Sequence, residues 1–159
     1  MVDVDARLAE LGIEIPEVAA PLAAYVPAVR SGDLVFTAGQ LPLVKGELMA
    51  AGVVGADVDP DTAAACARQC ALNALAAVAS VVDDLSKVAR VVKVVGFVAS
   101  TAEFTGQPAV VNAASSVLRE VFGDAGVHAR SAVGVASLPM GAPVEVELVV
   151  EVAGAAAGR

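Results

Sequence analysis

Two stretches near the end of the chain set chemistry-bearing residues at strand spacing. In the first, Ala129 to Ala136, alternation puts Arg130, Ala132, Gly134 and Ala136 on one side and Ser131, Val133 and Val135 on the other. In the second, Pro143 to Val152, an apolar side of Val144, Val146, Leu148 and Val150 is backed by Glu145, Glu147 and Glu151. A planar guanidinium can clamp a carboxylate through paired hydrogen bonds, a geometry that the point charge of Lys does not reproduce. A Glu on the neighbouring strand can accept a proton from an attacking water. Burial would raise its pKa and a nearby Arg would lower it. Glu147 shares a side with Glu145 and competes for the role, and Arg130 could instead form a structural ion pair with either carboxylate.

The remaining reactive side chains carry less. Cys66 and Cys70 lie four apart in a helical pattern, where small buried residues are expected; two more donors would be needed for a metal, and the single His is distant in sequence. No metal is expected. Two reduced thiols fit a cytoplasmic setting. His128 precedes Arg130 by two residues and could act as a general base, but a solvent-exposed His at a strand end is the expectation.

Charge and hydropathy exclude other classes. The 159 residues carry ten Lys and Arg against eighteen Asp and Glu, a net charge of −8. Nucleic-acid binding needs clustered cations, and the basic residues here are scattered. The composition is 57% hydrophobic and 3% aromatic. The longest apolar run, Ala71 to Val82, is interrupted by Asn73 and stops at Asp83, short of the ~18–20 residues that span a bilayer. The acidic start has no basic region of a signal peptide. So much apolar surface on one small domain predicts self-association.

The elements that must position these residues are well punctuated. Asp3 to Leu11 reads as a short helix ended by Gly12, and Tyr25–Arg30 with Leu34–Gly39 reads as a hairpin around Ser31-Gly32-Asp33. A turn at Lys45-Gly46-Glu47 predicts a short strand near Leu48. A long helix starts at Asp59-Pro60, with Cys66, Cys70, Ala74, Ala77 and Val81 at helical spacing. Val88–Val98 is a central strand, and a second helix runs from about Gln107 to Phe122, with Thr105 as its cap and Gly123 at its end. The order β-β-β-α-β-α-β-β predicts an α/β (α+β) domain, a mixed sheet with both helices on one face. Arg130 and the carboxylates are expected to point together from the bare face, where the small Ala and Gly residues would admit another subunit.

The stretch Ala129-Arg130-Ser131-Ala132-Val133-Gly134-Val135-Ala136-Ser137-Leu138-Pro139, followed by Val144-Glu145-Val146-Glu147, resembles the signature of the reactive-intermediate deaminases, the RidA/YjgF or endoribonuclease L-PSP family. Tyr25-Val26, Phe36-Thr37-Ala38-Gly39-Gln40-Leu41-Pro42 and Val111-Asn112-Ala113 match upstream, in order. The resemblance implies a chorismate-mutase-like fold, a homotrimer, and a small-molecule pocket in each subunit interface. It reads residues 1–24 as an N-terminal extension with a short helix, typical of a longer branch, and 25–159 as the single family domain. It implies hydrolysis of reactive 2-imino acids to 2-oxo acids and ammonia without a cofactor. Arg130 would bind the substrate carboxylate, Glu145 would activate water, and Tyr25, Gly39 and Asn112 would line the pocket. The family commonly has Ser at Ala38, Cys at Ala132, Pro at His128 and often Arg at Ser137. The first two replacements remove polar pocket groups, which favours a metabolite-binding or regulatory trimer without turnover as the alternative. An endoribonuclease or translation inhibitor, the third reading, is opposed by the acidic charge.

Overall fold

The computed structural model describes residues 2–18 and 24–154. Ten elements follow in chain order: α1 (Val4–Leu11), β1 (Ala28–Ser31), β2 (Leu34–Thr37), β3 (Leu43–Val44), β4 (Glu47–Leu48), α2 (Pro60–Val82), β5 (Val88–Ala99), α3 (Gln107–Phe122), β6 (Ala129–Val135) and β7 (Val144–Val152). The main sheet has the order β1-β2-β7-β5-β6; it is antiparallel except for the β5–β6 pair, which α3 connects. The short β3–β4 hairpin turns on Lys45 and Gly46, both at positive φ. The strand expected from Tyr25 begins only at Ala28, and the one expected to reach Gly39 ends at Thr37.

α2 begins as its sequence dictates. Asp59 accepts from the Asp61 and Thr62 amides, both at 3.0 Å, and Pro60 takes the first turn. Cys66, Cys70, Ala74 and Ala77 are fully buried, and Val81 is half-buried. Ala63, Ala67, Ala71 and Val78 are buried as well, because α2 packs on both the sheet and α3. α2 is long and apolar enough to cross a membrane, but 67% of its apolar window is buried inside the fold. It is a core helix. Asn73, which interrupts the run, gives its amide to the Leu41 and Leu43 carbonyls at 2.9 and 3.0 Å.

α3 presents Val110, Ala114, Val117, Leu118 and Val121 to the core, as its periodicity predicts. Its cap differs from expectation. Gly106, not Thr105, occupies the cap position with no side-chain bond; Gln107 instead ties the entry to Phe104 O at 2.7 Å and Ser100 Oγ at 3.2 Å. α1 lies against α3, burying Val4 and Leu8, and Arg7 Nε donates to Glu120 O at 2.8 Å.

Both long helices cover one side of the sheet, where Val35, Val91, Val94, Val98, Val144, Val146, Leu148 and Val150 are buried. The other side has no cover among the described residues. It carries exposed Val29, Phe36 and Val133, with half-exposed Val95, Phe97 and Val149, alongside Lys93, Glu145 and Glu147.

α3 approaches the sheet closely because β5 has Gly96 beneath it. A Cβ built there would stand 2.5 Å from Val111 Cγ2, and a β-branched core residue cannot swing aside. Gly96→Ala is therefore expected to lower unfolding stability by ~1–3 kcal/mol. Adding Val111→Ala should make the double variant less destabilised than the two single losses summed. Denaturant unfolding of the four proteins checks this.

Candidate active site

Arg130 follows the turn into β6 and stands in register with Val94 of β5. Val94 is buried under the helices, so Arg130 is on the helix side, at the sheet edge beneath α3. Its Nη1 donates to Asn112 Oδ1 at 2.8 Å and Ser115 Oγ at 3.2 Å, and its Nη2 to Pro108 O at 3.3 Å. This corrects the expectation that Arg130 shares the bare face with the carboxylates. The small residues of the same parity, Ala132 and Gly134, lie under α3 rather than against a second subunit. Ala132 packs on the core, and a Cβ on Gly134 would meet Gln107 Nε2 and Ser100 Oγ, each at 2.8 Å. Small residues here serve helix-on-sheet approach.

A guanidinium has five N–H donors. Three are engaged, so the Nε–H and one Nη2 hydrogen are uncommitted among the described residues. Arg130 forms no ion pair among those residues, and the structural pair with Glu145 or Glu147 is not made within the chain.

Glu145 is on the bare side of β7, in register with Phe97, which in turn faces Val133. A Cβ on Gly39 would overlap its carboxylate, so a larger residue there would force the Glu145 side chain to turn aside. Gln40 exchanges both backbone hydrogen bonds with Val146, at 2.8 and 3.0 Å, which fixes Gly39 beside Glu145. The Asn73 amide holds the following Leu41–Leu43 segment from beneath. Burial first, and the like charge of Glu147 second, push the half-buried Glu145 carboxyl above its ordinary pKa. Such a shift moves a carboxylate towards the range useful for proton transfer near neutrality.

Arg130 and Glu145 are thus separated within one chain. Val133 is three residues beyond Arg130, so the two side chains start about 10 Å apart along the strands and about 10 Å across them, on opposite faces. Asn112 is brought to Arg130 and Gly39 to Glu145, giving two groups rather than one cluster. Tyr25 is exposed in the bend before β1.

His128 differs from the exposed residue expected. It is half-buried, with Nδ1 2.6 Å from Gly126 O and Nε2 2.9 Å from Ser115 Oγ. Ser115, which joins His128 to Arg130, was not singled out from sequence; it lies three residues beyond Asn112, on the same helix face. Burial pushes both thiols up, Cys70 strongly, so neither is a thiolate at neutral pH. Two surface grooves flank His128, of about 540 and 250 Å³; the larger includes Arg90 and Glu151, the smaller Arg119 and Arg130, and neither includes Glu145.

Comparison with known proteins places the fold. A family described as "YjgF/chorismate mutase-like, putative endoribonuclease" matches residues 5–152. Protein TCP17 of Trypanosoma cruzi is 44% identical over 149 residues, covering 93% of each chain. Among solved structures, Atu1372 from Agrobacterium tumefaciens, a protein of unknown function, is 46% identical with a TM-score of 0.88, covering 94% of this chain and 92% of that one. A "putative endoribonuclease" from Shewanella oneidensis is 32% identical with a TM-score of 0.90, covering 94% and 99%. This helix-backed mixed sheet is therefore the fold of a chain that belongs to the YjgF/chorismate mutase-like family.

Proposed function

We propose that the protein hydrolyses 2-imino acids to 2-oxo acids and ammonia, in a site that takes Arg130 from one copy and Glu145 from another within a homotrimer. The observation that carries this reading is the uncommitted part of the Arg130 guanidinium, fixed by α3 and left with two N–H donors for a carboxylate. The half-buried Glu145, on the uncovered face, is the complementary half. Neither half suffices, and the bare apolar face supplies the surface on which copies would meet.

In this scheme Arg130 holds the substrate carboxylate. Glu145 takes a proton as water adds to the protonated imine carbon and returns it to the amine nitrogen. The carbon–nitrogen bond then breaks, ammonia leaves, and the hydroxyl proton passes to Glu145 as the carbonyl forms. Water supplies the oxygen of the 2-oxo acid. Tyr25, exposed and next to β1, would close the pocket from one copy, and Asn112 orients Arg130. The second reading is a trimer that binds a 2-oxo or 2-imino acid without turnover. Ala38 beside Gly39, and Ala132 two residues after Arg130, favour it, since neither supplies a polar group.

The test is 2-iminopropanoate generated in situ, with pyruvate release followed in the presence and absence of the protein. Arg130→Ala should lose roughly 30-fold to several-thousand-fold in kcat/KM, the result of removing one member of a confined charge pair. Arg130→Lys should recover only part of it. Glu145→Gln should lose ~10²–10⁴-fold in rate while still binding pyruvate. Pyruvate binding by a wild-type protein with no turnover would select the second reading.

Mixing inactive Arg130→Ala and Glu145→Gln chains, unfolded and reassembled together, should restore about a quarter of wild-type activity, because randomly mixed copies combine an intact half from each. No recovery, or a monomer mass in sedimentation equilibrium, would count against a shared site.

Glu145 also makes a stability prediction. Its folded pKa lies above the ordinary value of 4.5, so the folded chain binds more protons than the unfolded one in that window and loses stability as pH rises through it. Glu145→Gln should therefore melt above wild type at pH 7, and the gain should vanish as pH falls below about 4.5.

A further inference from the structure

We infer that His128 is a positioning residue for Arg130, acting through Ser115 in its neutral Nδ1–H form. This rests on the reading of Arg130 as the carboxylate clamp. The chain of contacts fixes its own polarity. Gly126 O can only accept, so His128 Nδ1 carries the hydrogen at 2.6 Å. That leaves Nε2 as an acceptor, and the Ser115 hydroxyl donates to it at 2.9 Å. With its hydrogen so directed, the Ser115 oxygen presents a lone pair to Arg130 Nη1 at 3.2 Å. Donation therefore runs one way, from Arg130 to Ser115 to His128 to Gly126, and each bond polarises the next.

The anchor of this series is rigid. Gly126 is buried, and a Cβ there would collide with the Leu118 carbonyl oxygen, so this backbone rests directly on α3. Its carbonyl sets the imidazole, the imidazole sets the Ser115 rotor, and Ser115 with Asn112 holds the two Nη1 hydrogens. Pro108 O takes one from Nη2, so the remaining Nε–H and Nη2 hydrogens point a fixed way. Without His128, the Ser115 hydroxyl would be free to turn its hydrogen towards the guanidinium.

Protonation reverses the polarity. An imidazolium Nε2–H must donate to Ser115, which then has to accept from two cations at once. The surroundings resist this. Burial, and after it the Arg130 charge, hold the His128 pKa below its ordinary 6.5, against the Gly126 hydrogen bond that raises it. The charged groups lining the grooves beside His128 are Arg119 and Arg130 on one side and Arg90 and Glu151 on the other, three cations to one carboxylate. Since the folded pKa is depressed, the neutral form is complete above 6.5, and the arrangement is lost as pH falls through the folded value.

The experiment measures pyruvate affinity by calorimetry from pH 5 to 8 in wild type and in His128→Ala, His128→Gln, Ser115→Ala, the His128→Ala/Ser115→Ala double variant, and Arg130→Ala. Loss of one supporting hydrogen bond predicts weaker binding by about 5- to 10-fold for His128→Ala at pH 7.5. Ser115→Ala should match it, and the double variant should be no worse than either, because the two residues act in series. His128→Gln offers an acceptor at similar reach and cannot titrate, so it should restore affinity and flatten the wild-type decline below pH 6.5. In parallel, the ¹⁵N–¹H signal of Arg130 Nε, identified by its absence from Arg130→Ala, should be sharp in wild type and His128→Gln and exchange-broadened in His128→Ala, with no ligand present.

Wild-type affinity in His128→Ala with loss of binding in Arg130→Ala overturns the inference alone. So does additive loss in the double variant, or affinity that rises as pH falls, which would make His128 a second cation for the ligand. Wild-type affinity in Arg130→Ala, or no pyruvate binding by any protein, overturns the clamp reading; the Arg130 Nε signal then decides the role of His128 by itself, with an unchanged signal in His128→Ala against it.

Discussion

The packing of α3 against β5 and β6 is the contact on which the candidate site depends. Gly96 admits Val111, and Gly134 admits Gln107 and Ser100, so the helix comes down close to the sheet edge. From that position its first turns carry the Pro108 carbonyl, Asn112 and Ser115 to Arg130. A helix held farther off by two methyl groups would leave a solvated arginine with many rotamers. The ordering entropy of a long side chain, up to ~2 kcal/mol, is here met before any ligand arrives.

Much of the architecture was legible in the chain. The Asp59-Pro60 start and the apolar stripes of α2 and α3 are local signals with local causes, and the structure has them where the spacing puts them. The face of β6 was misread for an equally physical reason. Arg130, Ala132 and Gly134 alternate with Ser131, Val133 and Val135, and neither set looks like a conventional core. Small side chains at that spacing suit contact between subunits, and close helix–sheet packing makes the same demand. Gly96, one strand over in the same layer, and the valines of α3 held the information, but only register connects them. Hydrogen-bond partners such as Ser115 and the burial of His128 are likewise tertiary facts. Periodicity carries no trace of a rotor set, through His128, by a carbonyl eleven residues farther along the chain.

The two faces of the sheet divide the chemistry. On the helix side, a cation is saturated along one edge and ordered. On the bare side, a carboxyl is crowded by Gly39 and by a like charge, with no hydrogen-bond donor among the described residues. Such a group is a cost to the folded chain, and functional sites often keep costs of this kind because relieving them removes reactivity. Alternation at period two is what enforces the division: no rotamer change in one chain brings a side chain through the sheet.

Asn73 shows how far the consequences of the site extend into the scaffold. It lies midway along α2 among buried Ala, Cys, Leu and Val, and its side-chain bonds reach neither Arg130 nor Glu145. Yet it spans from that helix to two carbonyls of the segment that seats Gly39. Few side chains can replace it, since Asp would turn a charge against both carbonyls and Gln would overreach them. The loop beside Glu145 therefore takes its position in part from a side chain in the helix layer that contacts neither candidate group.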